Sequence, residues 1–286
     1  MRTAILAVIC LVSLLVVGAL AMQGAAYYAR PLEERPHHAG YWSLKPGGSR
    51  GHLYGAAGSA MMVLMLSYSL RKRSRRLRRV GPTRYWLDAH IYFGIFGPLL
   101  IVLHSSLKVG GLVALSFWSM VAVAASGLVG RFLYVRIPRT RAGDELSLAA
   151  VQRLDEELTA VLEQRFGVPP AQLAALSGEI SALPGRARGR RRMLRAMLLD
   201  GFRTRRRLRG LTATLGHVPA ATAREMRDLL LRKAMLARRV ALWDDMQRLF
   251  HYWHVFHKPF AIVMYLFMIV HVAVALATGY GWGHPR

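Results

Sequence analysis

Five long apolar segments restrict the folds open to this chain of 286 residues. They cover residues 3–29, 51–70, 89–107, 109–130 and 259–285. A helix needs about 20 apolar residues to cross the hydrocarbon core of a bilayer, and each segment is about that long. Because a backbone in lipid must satisfy its own hydrogen bonds, we expect each segment to form a transmembrane helix.

Basic residues are concentrated in two of the links between these segments. The chain has 40 Lys and Arg against 15 Asp and Glu, a formal charge of +25. Seven basic residues lie within 71–79, and a larger excess fills 136–248. The positive-inside rule makes both links cytoplasmic and puts residues 23–50 and the C-terminal tail outside. The sequence therefore predicts a multi-pass protein of the inner (plasma) membrane, with the basic insertion cytoplasmic.

The arginine runs of the insertion predict a surface that contacts anionic membrane lipids. A docking face for an acidic redox partner is the alternative. Nucleic acid is not expected as a partner, because no aromatic residues interleave with the charges.

The predicted fold class is an all-α integral membrane helical bundle with an all-helical cytoplasmic insertion. Residues 1–22 form an anchor or a cleaved signal, 23–50 an extracytoplasmic loop, and 51–135 the second to fourth spans. Residues 136–250 form the insertion, and 251–286 form the last span and the tail. Within the insertion, helices are predicted over residues 147–166, 171–180, 191–211 and 220–250. Four spans are thus available to build a bundle, with the N-terminal segment beside them.

Two pairs of histidines repeat one interval in separate apolar segments. His90 and His104 lie fourteen residues apart, and so do His257 and His271. Fourteen helical residues rise about 21 Å and return to within about 40° of the starting face, so both members of a pair share a face. A histidine inside a membrane is costly, and two pairs at one interval predict that these histidines bind a ligand. The alternative for any one of them is a hydrogen bond between helices.

The topology makes the third and fifth segments run in the same direction. His90 would then pair with His257 near the cytoplasm, and His104 with His271 near the outside. Paired imidazoles at two depths can hold the irons of two haems. Cys10 is the only cysteine, so no Cys-x-x-Cys-His motif exists for a covalent haem link. We therefore predict two non-covalent haem b groups with these four histidines as iron ligands.

Gly97 lies seven residues from both His90 and His104, on their face of the helix. A side chain at this midpoint would press between two porphyrins, so Gly97 is predicted to make room for the haems. The alternative is a glycine that allows close packing of a neighbouring helix.

Two further histidines, His251 and His254, compete with His257 as ligands in the last segment. His254 lies about 100° off the face of His271, whereas His257 is almost in line with it. His257 is therefore the predicted ligand, and His254 is predicted to meet haem propionates or water.

The outer segment, residues 30–52, is rich in titratable and aromatic residues. A quinol site needs a proton acceptor beside an apolar cleft. His52, at the start of the second span, is the best acceptor, and Tyr54 follows it. We predict a quinol site at His52 and Tyr54; a polar loop with an interfacial aromatic belt is the alternative.

This pattern resembles the transmembrane domains of the di-haem cytochrome b superfamily, particularly those of ferric reductases and NADPH oxidases. In these, two parallel helices separated by one span each carry a pair of haem-ligating histidines. The resemblance covers residues 51–135 and 254–280, and Gly97 is similar to the midpoint glycine of such cytochromes. Those reductases append a flavin and nicotinamide module, which is not visible here. They also lack a helical insertion as long as residues 136–250 between the two membrane spans on either side of it.

The predicted function is that of a di-haem b-type membrane cytochrome, the electron-transfer membrane subunit of an oxidoreductase complex. It would move electrons across the bilayer between the quinone pool and a separate redox protein subunit. One alternative is a subunit that takes electrons from a cytoplasmic flavoprotein. The other is a non-redox membrane scaffold.

Overall fold

The computed structural model describes residues 2–135, 148–171, 173, 220–241 and 243–279. These residues are helices joined by turns and loops, and no strand occurs among them. The described α-helices are α1 Arg2–Gln23, α2 Ala25–Tyr28, α3 Tyr41–Leu44, α4 Ser49–Arg73, α5 Thr83–His104, α6 Gly111–Tyr134, α7 Leu148–Phe166, α8 Ala220–Ala241 and α9 Trp243–Ala277.

Among the described residues, five stretches are long and apolar enough to cross a membrane, as the sequence predicts. They are Ala4–Gln23, Tyr41–Arg73, Thr83–His104, Val113–Tyr134 and Met246–Ala277. Large apolar side chains on these helices, such as Leu15, Ile262 and Leu266, are exposed, as contact with lipid requires. The chain is thus all-helical in its described part and indicates a multi-pass membrane protein.

The first helix ends at Gln23, next to the predicted end of the anchor or signal at residue 22, and α2 follows Gly24. The helix predicted over 220–250 differs from the structure: α8 ends at Ala241, and α9 begins at Trp243 and continues through Pro259 into the last apolar segment. Pro98 likewise lies inside the continuous helix α5.

The chain divides into two compact units, Met1–Phe132 with Tyr252–Arg286, and Leu133–His251. In the second unit α7 packs against α8. The buried residues of this contact are Leu162, Leu173, Met226, Leu230 and Ala234. The helix predicted over 191–211, most of that over 171–180 and the arginine-rich runs lie outside the described residues.

In the first unit, α4 and α5 are antiparallel neighbours joined by a short loop and packed closely along their length. A Cβ atom at Gly58 would lie 2.9 Å from the carbonyl oxygen of Gly97, and one at Gly97 would lie 3.2 Å from that of Gly58. Both values are below ordinary van der Waals separation. The two glycines therefore allow the backbones of α4 and α5 to meet at mid-height.

Methionines fill the middle of the bundle. Met62 and Met65 of α4, Met120 of α6 and Met264 of α9 form one buried cluster. The Tyr265 hydroxyl donates to the Met62 carbonyl at 2.6 Å, and the Ser116 hydroxyl donates to the Met264 carbonyl at 3.2 Å. These bonds fix α9 against α4 and α6 midway between the two histidine levels.

A folded loop closes the end of the unit at which α4 begins. Arg35 is buried there, and its guanidinium donates to the carbonyls of Arg30, Tyr28 and Ser106. The Ser106 hydroxyl in turn donates to the Leu44 carbonyl at 2.8 Å. The loop before α4 is therefore fastened to the loop after α5, at the end where His104 lies.

Candidate functional site

The structure brings His104 and His271 together in the first unit. The ring centres of His104 and His271 lie 6.4 Å apart, with their planes at 63° to each other. His90 and His257 lie within electrostatic range of one another. His90, the earlier histidine of α5, lies near His257, the earlier histidine of α9, and the later two, His104 and His271, lie near each other. The two helices therefore run parallel.

The distance between His104 and His271 is compatible with both imidazoles binding one metal ion. An imidazole nitrogen binds a transition metal at about 2.0 Å, and the ring centre lies about 1.1 Å behind that nitrogen. Two imidazoles that bind one metal ion can therefore have ring centres up to about 6 Å apart. The ring centres of His104 and His271 lie 6.4 Å apart.

Backbone carbonyls fix the tautomer of both histidines on α5. The Nδ1 atom of His90 lies 3.0 Å from the Met65 carbonyl oxygen, and that of His104 lies 2.9 Å from the Gly51 carbonyl oxygen. A carbonyl can only accept, so Nδ1 carries the proton in each ring and donates. Nε2 is then left with a free lone pair, which is what a metal ligand requires.

These contacts repeat at regular steps along the antiparallel pair α4 and α5. Gly51 and Met65, the two acceptors, lie fourteen residues apart, the same interval as His90 and His104. Gly58 lies midway between the acceptors and meets Gly97. Residues seven apart return to nearly the same helix face, so the close approach at Gly58 lets both imidazoles reach α4.

His257 on α9 has the same arrangement with a hydroxyl as its partner. Its Nδ1 atom lies 2.7 Å from Oγ of Ser126 on α6. The Ser126 hydroxyl donates its single proton to the Val123 carbonyl at 2.9 Å. Oγ therefore accepts from His257, and Nε2 of His257 also keeps its lone pair.

Gly55 makes room for the imidazole of His104. A Cβ atom at Gly55 would lie 2.6 Å from Nδ1 and 2.8 Å from Cε1 of His104. Only a glycine leaves space for the ring where it reaches the Gly51 carbonyl.

Gly97, predicted to make room for the haems, contacts α4 in the structure. The three nearest atoms that a Cβ at Gly97 would meet belong to Gly58, Met61 and Met62. The close approach of α4 agrees with the packing alternative. Room for the haems at Gly97 stays a prediction.

The residues predicted for the quinol site have different environments. His52 is half-buried and lies within electrostatic range of His104. Tyr54 is buried with Tyr27, Leu44 and Leu103. Of His52 and Tyr54, His52 is therefore the residue that keeps a partly accessible polar side chain near His104.

Tyr28 lies at the same end of the first unit as His104. Burial raises the pKa of its phenol to about 12, so the phenol stays protonated. The Tyr28 hydroxyl donates to the Leu103 carbonyl at 3.5 Å, next to His104.

The donor set fits haem b. His90 with His257, and His104 with His271, would each supply two imidazole ligands to the iron of a haem. Each histidine pair offers two imidazoles, and the available nitrogen is defined in His90, His104 and His257. Among the described residues, no three or more His, Cys, Asp or Glu side chains converge.

Sequence reasoning did not identify the partners of the ligands: Ser126, Gly55 and the carbonyls of Gly51 and Met65. Backbone carbonyls have no sequence signature. The sequence does carry one signal for them: the glycines at 51, 55 and 58 predict that a neighbouring helix approaches closely, but they do not identify that helix.

No family model, curated protein or solved structure matches this chain. The site is therefore defined by the geometry of its own residues.

Proposed function

We propose that this chain is a di-haem b-type membrane cytochrome, an electron-transfer subunit that moves electrons across the bilayer between the quinone pool and a separate redox protein. The observation that carries the proposal is that α4 and α6 hold the Nδ1 atoms of His90, His104 and His257, which leaves the Nε2 lone pair of these three available. Bound haem would supply a one-electron ferric and ferrous couple at each pair. A protein of this kind would resemble the members of the di-haem cytochrome b superfamily.

The histidines set the depth of the two centres. His90 and His257 would hold the haem nearer the cytoplasm, and His104 and His271 the haem nearer the outside. The basic loop after α4 and the basic insertion would lie in the cytoplasm of an inner (plasma) membrane protein. The folded loop fastened by Arg35 would then cover the outer centre.

Haem content tests the proposal directly. Purified protein made in haem-supplied cells is expected to contain two non-covalent b haems per chain, because each pair provides two axial imidazoles. Pyridine haemochrome analysis measures this number, and low-spin ferric spectra check the ligand type. A folded protein without haem would contradict the proposal and favour the scaffold alternative, in which the histidines only join helices.

Electron entry from quinol is proposed at His52. Oxidation of a quinol releases two protons and two electrons, so the site needs a proton acceptor close to a haem. His52 is half-buried and lies near His104. The electrons would leave one at a time through the two centres to a separate redox protein.

The variant His52→Ala is expected to slow haem reduction by a short-chain benzoquinol at least tenfold, while both haems remain bound. Stopped-flow absorbance at the haem bands measures the rate, and dithionite reduction gives the haem content. Trp42→Ala, in the same outer region and exposed, is the control. Normal quinol reduction in His52→Ala would contradict the outer quinol site and favour entry from a cytoplasmic flavoprotein.

A further inference from the structure

Ser126 is the side-chain hydrogen-bond partner of His257, a predicted haem ligand. It lies on α6, is buried, and joins α6 to α9 through its hydroxyl and its carbonyl. His90 and His104, in contrast, donate to backbone carbonyls of α4.

Two bonds define the direction of the contact with His257. The Ser126 hydroxyl donates to Val123, three residues earlier, a common bond for serine within a helix. Its oxygen therefore receives the proton of His257 Nδ1 at 2.7 Å. This arrangement keeps the lone pair of His257 Nε2 available for a metal. It also fixes the rotation of the ring about its bond to Cβ.

Trp253 supports the same geometry from one turn earlier on α9. Its indole nitrogen donates to the Ser126 carbonyl at 2.7 Å. Its ring lies 4.8 Å from the His257 ring at an angle of 30°. Gly130 makes space for the indole, because a Cβ there would lie 2.3 Å from it.

We propose that Ser126 is a positioning residue that sets the reduction potential of the haem held by His90 and His257. This inference rests on the proposed function. An oxygen that accepts the Nδ1 proton increases the electron density on Nε2 and strengthens its bond to the metal. A stronger donor favours ferric over ferrous iron, so the Ser126 oxygen lowers the potential of this haem.

The test is a redox titration of the haem bands in four purified proteins: wild type, Ser126→Ala, Ser126→Thr and Ser116→Ala. Ser126→Ala is expected to raise the midpoint potential of one haem and leave the other unchanged. Ser126→Thr keeps the hydroxyl and is expected to restore the wild-type value. Ser116→Ala is the matched control, because it removes another hydroxyl bond between α6 and α9 that touches no histidine.

The shifted haem is identified in the His104→Ala background, where the pair of His90 and His257 is the one left intact. The shift is expected to persist there. Should Ser126→Ala release this haem, its retention in Ser126→Thr would support the proposal, and its loss in both variants would overturn it.

Three further results would overturn the proposal: unchanged potentials in Ser126→Ala, equal shifts in Ser126→Ala and Ser116→Ala, or no restoration by threonine. With two haems in the wild type, these results leave the proposed function standing. A wild-type protein without haem overturns both.

Discussion

Replacing His104 by alanine is expected to remove one of the two proposed haems, and replacing His271 is expected to remove the same one. The reason is that the centres of the two rings lie 6.4 Å apart, so either substitution would leave the proposed haem with a single histidine ligand. His90→Ala and His257→Ala are expected to remove the other haem. Haem content and redox titration of each purified variant measure which centre is lost.

Double variants test which histidines share one proposed haem. His104→Ala with His271→Ala is expected to lose no more haem than either single variant, because both act on one centre. His104→Ala with His257→Ala is expected to lose both haems. His254→Ala is the control and is expected to keep both. Loss of both haems in the first double variant would show that the pairs are assigned wrongly.

The number of membrane-spanning stretches and the choice of helix face could be predicted from the sequence because both are local properties. Apolar length defines each span, and an interval of fourteen places His90 and His104 on one face whatever the neighbours are. The positive-inside rule then predicts that α5 and α9 run parallel. The contact between His104 and His271 agrees with this direction.

The neighbour of each face could not be predicted, because periodicity identifies a face without saying which helix packs on it. Gly97 illustrates this limit: its face was predicted, yet the helix that meets it is α4. Ser126 illustrates another, since a hydroxyl in a helix usually bonds to its own backbone. Ser126 does so through its proton and still offers its oxygen to His257 from a distant part of the chain.

Replacing Gly55 by alanine adds only one methyl group and should still have a large effect on the proposed haem held by His104 and His271. A single methyl group there would lie 2.6 Å from Nδ1 of His104, in the space that the imidazole occupies. The ring would have to rotate away, which breaks its bond to the Gly51 carbonyl and turns Nε2 from His271. Alanine is also a better helix former than glycine by about 1 kcal/mol, so α4 itself should be stabilised.

Gly55→Ala is therefore expected to reduce the haem content from two to one per chain and to remove the same haem as His104→Ala. Gly127→Ala on α6 is the matched control, because a Cβ there meets nothing within 4 Å and both haems should remain. Haem content, redox titration and thermal unfolding of the two glycine variants measure binding and stability separately. Two haems with unchanged potentials in Gly55→Ala would show that the imidazole of His104 does not need its place against α4.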